Sequence, residues 1–139
     1  MATALILETL ASLLLAIALG ALVGLERERA HRPAGLRTHM LVSLGSCLFT
    51  VISIGFTTPD RIAAGIVTGI GFIGAGTIWS EKDKVKGITT AASLWATAAI
   101  GLAAGVGNYP IAILVAVLVL FILYSKALFS RIGLEEKPE

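Results

Sequence analysis

The residues of this chain that could do chemistry fall into three small groups. The first is Glu26, Arg27 and Glu28 with Arg37 and Thr38. The second is Glu81 with Thr89 and Thr90, and the third is Glu8 with Asp60 and Arg61. Carboxylates beside threonine hydroxyls suit a hydrated divalent cation, which keeps several waters and takes one or two carboxylates. On this reading Glu26 and Glu81 are the metal-ligand candidates, and Arg37, Thr38, Thr89 and Thr90 complete a polar site. Taken singly, the same residues have a structural use. The threonines can cap helix N-termini, and the glutamates can accept orphan amides or pair with Arg37. Helix N-termini also favour anions, which weighs against a simple cation site there.

Other chemistries find little support. No Ser-His-Asp or Cys-His set can be placed, so an enzyme is not expected. His31 and His39 have no second ligand at metal spacing and read as surface groups. The single Cys47 can form neither an internal disulfide nor a cysteine zinc cage, and reads as a packing residue. Gly69, Gly71 and Gly74 match GxGxxG but lie in an uncharged run with no preceding strand, which excludes a dinucleotide fingerprint. Tight helix packing explains them better. A sharper alternative is that they unwind a helix and offer carbonyls to an ion. Ser43, Ser46, Ser53, Thr68 and Thr97 read as scattered helix–helix hydrogen bonders.

The elements that must position these groups follow from where charge is missing. Charged residues make up 14% of the 139 and apolar ones 56%, against roughly 25% charged in a soluble domain. That balance excludes disorder and a basic nucleic-acid module. The runs Thr9–Leu25, Thr38–Pro59, Ile62–Ser80 and Gly87–Ser125 carry no charge. About 20 helical residues cross a bilayer core. The last run is twice too long, and its segment from Gly105 to Pro110 divides it. An all-α membrane protein results, with five transmembrane helices at roughly 4–25, 37–57, 61–79, 89–106 and 109–126. Residues 1–126 form the membrane domain and 127–139 a short cytoplasmic tail. The ten-residue alternation of a barrel is absent.

Lysine and arginine favour the cytoplasmic side. Arg27, Arg29, Arg32 and Arg37, then Lys82, Lys84 and Lys86, then Lys126, Arg131 and Lys137 share one side, and Arg61 alone takes the other. The N-terminus is therefore expected outside and the C-terminus inside. The first helix, with its basic cluster behind it, reads as a retained anchor and not a signal peptide.

Small residues four apart allow close helix approach in lipid. They recur at Gly20 and Gly24, Gly65 and Gly69, and Gly101 and Gly105, and helix 3 adds Gly71, Gly74 and Gly76. Helix 3 is expected at the buried centre and helix 5 at the periphery. The stretches after Gly20 and Gly74 look alike, which suggests parallel hairpins 1–2 and 3–4. Glu8, about 25 Å along helix 1 from Leu25, needs a partner or water. Arg61 is the expected partner, and Asp60 reads as an N-cap. Trp79 and Tyr109 read as interfacial belt residues, and Trp95 as a packed one.

Three blocks in order, GALVGLERERAHRPAGLRTHMLVSLG, DRIAAGIVTGIGFIGAGTI and VKGITTAASLWATAAIGLAAGVGNY, resemble the MgtC/SapB membrane family over about Leu15 to Leu123. The resemblance implies a bacterial inner-membrane, multi-pass protein of magnesium homeostasis. Such proteins are often labelled Mg2+ transporters, and some members regulate other membrane machinery, including the proton-driven ATP synthase. The family blocks map onto Glu26, Arg37, Thr38, Asp60, Arg61, Gly69, Gly71, Gly74, Gly76, Glu81, Gly87, Thr89, Thr90, Ala91 and Trp95. Some virulence-associated members differ in carrying Asn at the position of Thr89 and Cys at that of Ala96. Long members append a soluble domain beyond the point corresponding to Glu139. Two functions follow as expectations. One is handling or sensing of Mg2+ by a homodimer in the lipid bilayer, with no nucleic-acid partner. The other is a non-transporting protein that docks another membrane complex.

Overall fold

The computed structural model describes residues 2–56, 59–81 and 84–131. It contains five helices, α1 (Ala2–Arg29), α2 (Leu36–Ser53), α3 (Pro59–Ala75), α4 (Ile88–Gly105) and α5 (Tyr109–Arg131), and one short hairpin, β1 (Trp79–Glu81) with β2 (Lys84–Lys86). The expected five helices are present among the described residues. Lys82 and the tail from 132 onward, with Lys137, lie outside the described residues.

Helix ends follow local chemistry. The apolar stretch of α1 continues through Glu26–Arg29, all good helix formers, and its last turn is basic, which suits the helix dipole. The helix stops at His31, whose φ of 54° is left-handed. Arg32 N donates to Arg27 O at 3.0 Å and His31 N to Glu28 O at 3.0 Å, the paired bonds of a Schellman stop. Gly107 (φ 77°) ends α4 the same way, with Asn108 N donating to Ala103 O at 3.0 Å. Pro110 follows at the start of α5, where its missing N–H costs nothing.

The region after α3 departs from expectation. Helix 3 ends at Ala75, not near 79, because Gly76 and Thr77 turn the chain and Thr77 Oγ1 donates to Gly74 O at 2.7 Å. An antiparallel hairpin follows, pairing Trp79 with Lys86, Ser80 with Val85 and Glu81 with Lys84. Gly87 (φ 89°) closes it, and a Cβ there would sit 1.8 Å from Thr77 O. Trp79 is thus a strand residue. Asp60 lies in the first turn of α3 and is not the N-cap, since the helix already includes Pro59.

The expectation that α3 forms the buried centre is overturned. α4 packs against α1, α2, α3 and α5, whereas α3 packs only against α2 and α4 among the described elements with substantial contact. The glycines explain the difference. At Gly20 a Cβ would come within 2.7 Å of His39 O, and at Gly24 within 2.8 Å of Leu36 Cα. At Gly101 it would come within 2.1 Å of Ser43 O, and at Gly105 within 2.6 Å of Thr50 Cβ. These four let α1 and α4 lie against the backbone of α2. Gly65, Gly69 and Gly71 face open space, Gly76 meets only its own turn, and Gly74 alone touches α4, at Ala91. α3 is also one continuous helix through its glycines, so the unwound alternative is overturned as well.

The main core joins Ala16, Leu19 and Val23 of α1 to Cys47, Ile100 and Ala104, and to Ala112, Ala116 and Leu123 of α5. A smaller cluster, Ala34, Ile70, Leu94 and Ala98, seats α3. α5 is peripheral, as expected, with Phe121, Ile122 and other large apolar groups facing outward. Trp95 is 54% exposed and does not pack in the core. α1, α2 and α4 are long and apolar enough to cross a membrane, and Tyr109–Ser125 is a shorter apolar stretch.

Candidate functional site

Buried polarity, not buried carboxylate pairing, marks the site. Every buried residue of α2 is polar or cysteine: His39, Ser43, Ser46, Cys47, Thr50 and Ser53. The polar ones follow a 4-3-4-3 spacing, the spacing that keeps one helix stripe against a neighbour. α4 answers with Thr90, Ser93 and Thr97, all buried. The large apolar side chains of α2, such as Leu41, Leu48, Phe49 and Ile52, point outward. The helix is therefore polar inside and apolar outside, as a bilayer permits.

Most of the hydroxyls donate to their own helix. Thr50 Oγ1 donates to Ser46 O at 2.7 Å, Ser53 Oγ to Thr50 O at 2.7 Å, and Thr97 Oγ1 to Ser93 O at 2.8 Å. Their lone pairs remain for the seam. Ser43 Oγ is fully buried at the crossing of α1, α2 and α4 and has no partner among the described residues.

The seam ends in charge near the α1–α2 turn. Glu26 and Arg27 are 8% and 4% exposed and form an ion pair. His39 is wholly buried, which corrects its reading as a surface group. Its Nδ1 lies 2.9 Å from Gly35 O and its Nε2 lies 3.1 Å from Ser93 Oγ. Both Glu26 and Arg27 act electrostatically on the ring. Glu28 Oε2 accepts the Leu36 amide at 2.7 Å, so a glutamate and not Thr38 satisfies the start of α2. Arg37 and Thr38 line a polar depression of about 260 Å³ with Glu28, Arg32, Pro33 and Gly35.

The second expected group lies apart from the first. Glu81 stands on β1, 53% exposed, and accepts Lys86 Nζ at 2.6 Å. The lysine holds its carboxyl below the usual carboxylate range, first by the hydrogen bond and then by charge. Glu26 and Glu81 therefore hold different places, one buried in a helix and one out on a hairpin, and each is engaged by its own base. Thr90 is buried in the seam, and Thr89 beside it is half-buried. No group of three or more His, Cys, Asp or Glu that could hold a metal occurs among the described residues.

At the far end, the expected approach of Glu8 and Arg61 is not found. Glu8 is exposed on α1, and its backbone carbonyl accepts Ser12 Oγ at 3.1 Å. Tyr109 OH lies 2.9 Å from Ser12 Oγ, tying α5 to α1. Arg61 lies instead in a groove of about 820 Å³ between α2 and α3 that also includes Thr38, Gly45, Phe49, Gly65 and Gly69. Thr68 stands off the seam, exposed and bonded to Ala64 O at 3.0 Å. In the sequence Ser43, Ser46, Ser53 and Thr97 read as scattered. Heptad spacing is the signal that joins them, with His39 and Thr50 on α2 and with Thr90 on α4.

A chain of long apolar helices with one short hairpin, apolar groups outward and hydroxyls inward, is a membrane protein by class. The pattern of the MgtC family matches residues 13–132, and the chain belongs to that family. It is 46% identical over 122 residues to "Putative magnesium transporter YhiD" of Escherichia coli (strain K12), covering 80% of this chain and 56% of that one. It is 50% identical over 103 residues to "Protein MgtC" of Brucella abortus (strain 2308), covering 72% and 43%. It is 47% identical over 112 residues to "Protein MgtC" of Salmonella typhimurium (strain LT2), covering 78% and 48%. The chain thus spans about half the length of these relatives. No solved structure matches it.

Proposed function

We propose that this chain is the membrane core of a bacterial magnesium-homeostasis protein that works by docking helices within the bilayer. It crosses the inner membrane five times, with its basic segments on the cytoplasmic side, and is not an enzyme. The observation that carries the reading is the open groove between α2 and α3. Gly45, Gly65 and Gly69 border it, and a Cβ at any of them would meet nothing within 4 Å. In lipid such a surface associates by close backbone approach. Its occupant is α3 of a second copy, because one Gly65-xxx-Gly69 face complements another about a two-fold axis. The magnesium role is supported by the names of the relatives and by family membership.

The test uses the Gly65→Leu, Gly69→Leu double variant in proteoliposomes and in cells that need the protein for growth in low magnesium. Loss of dimer and of growth, with an unchanged unfolding temperature, is the expected result. Full dimerisation by the variant would overturn the reading. Mg2+ transport is the second reading, favoured by the printed name of the Escherichia coli relative. Mg2+ entering dye-loaded liposomes in proportion to the protein inserted would select it.

A further inference from the structure

Both ring nitrogens of His39 face oxygen. Nδ1 faces the Gly35 carbonyl, which can only accept, at 2.9 Å. Nε2 faces Ser93 Oγ at 3.1 Å. That hydroxyl has one proton, and the Thr90 carbonyl lies 2.8 Å away in position to take it. A neutral imidazole has a single N–H. Placed on Nδ1, it leaves Nε2 needing the Ser93 proton, and Thr90 O loses the Ser93 bond and keeps only its helix bond. Placed on Nε2, it sets the Nδ1 lone pair against the Gly35 lone pair. An imidazolium donates to both oxygens while Ser93 still donates to Thr90. Only the two-proton ring makes every hydrogen bond at once.

We propose that His39 is a proton-binding site at the crossing of α1, α2 and α4, with the Gly35 carbonyl and the Ser93 hydroxyl as its acceptors. The incoming proton bonds to Nε2, and the Ser93 hydroxyl turns from the ring to Thr90 O; no other bond changes. Burying a charge is costly unless it is hydrogen-bonded and compensated. Two acceptors meet the first need. The second is not met from α1, where Arg27 acts against the charge more strongly than the Glu26 carboxylate acts for it, so the two acceptors carry the site. α4 contributes no titratable side chain between Ile88 and Gly105. The charged residues of α3, Asp60 and Arg61, lie in its first turns, at the far end of the groove from Thr38. On α2 itself Arg37 is exposed and Cys47 lies about two turns away. The turn before it carries His31 and Arg32, and the Glu28 carboxylate lies against Gly35 and the Leu36 amide.

The chain has two histidines, so His31→Asn leaves one imidazole, and Asn tolerates the left-handed backbone there. Nitrogen NMR of the ring, on the full chain in lipid nanodiscs from pH 8 to pH 5, reads the protonation directly. The expected result is a doubly protonated ring at the acid end. Ser93→Ala should lower the proton affinity about tenfold, the worth of one hydrogen bond to a charged group, and Ser93→Thr should restore it. A ring with one proton down to pH 5, or an unchanged midpoint in Ser93→Ala, would overturn the proposal. If Ser93→Ala does not fold, the ring of the Ser93 chain decides alone.

Discussion

At the scale of single residues, three positions have effects opposite to their ordinary reputation. Ser43 is a buried hydroxyl without a partner among the described residues. Leaving such a group unsatisfied costs about 1–3 kcal/mol. Ser43→Ala should therefore raise stability by about 1 kcal/mol in chemical unfolding from detergent, and a loss would mean the hydroxyl has a bound partner. His31 holds a left-handed φ of 54° at the end of α1. His31→Gly should gain up to about 1 kcal/mol, and His31→Val should lose about that much or more, because β-branched residues fit this region worst. Glu26 and Arg27 are buried together. Glu26→Gln strands the guanidinium and should cost about 3–5 kcal/mol, while replacing both with leucine and methionine should cost far less. Comparable loss from the single and double variants would show that the glutamate does more than neutralise its neighbour.

At the scale of elements, glycines with the same spacing do different things. Gly101→Ala places a methyl within 2.1 Å of Ser43 O, and should cost at least about 1–3 kcal/mol through overpacking. Gly69→Ala meets open space and should leave the fold intact. Thermal unfolding of the two variants side by side separates them. The β1–β2 hairpin should respond to acid. The Glu81 carboxyl titrates below its usual range because Lys86 holds its charged form. That support is complete above the ordinary carboxylate value and is lost as pH falls through the lowered one. Amide exchange at Ser80 and Val85 should quicken below that point, and Glu81→Gln should remove the pH dependence. Five helices were legible in the sequence because charge-free runs of bilayer length admit little else. Gly107 and Pro110 also announced their turn. The burial order was not legible. Gly65 and Gly69 repeat the spacing of Gly101 and Gly105, and spacing does not say which pair meets a backbone. The hairpin was hidden too, because Trp79 and Ile78 extend an apolar run through a change of backbone. His39 reads as a surface group because a lone histidine suggests water unless its i+4, i+7 hydroxyl companions, Ser43 and Ser46, are read with it.

At the scale of the whole molecule, the bundle is sorted by what each helix offers. α4 sits at the centre because it is narrow, its inward side made of Ala98, Gly101, Ala104 and Gly105 with hydroxyls above them. α1 and α5 supply the aliphatic core, and α3 rests on α4 through Ile70 and Gly74. The inward stripe of α2, serine, threonine and histidine around the single Cys47, has a consequence for biogenesis. A segment with that stripe is poorly welcomed by lipid when it leaves the translocon alone. α1, made just before it and apolar along nearly its whole length, can wait at the lateral gate and accept α2 as one half of a pair. A nascent chain whose α1 is replaced by a polar segment should fail to retain α2 in the membrane, although α2 itself is unaltered.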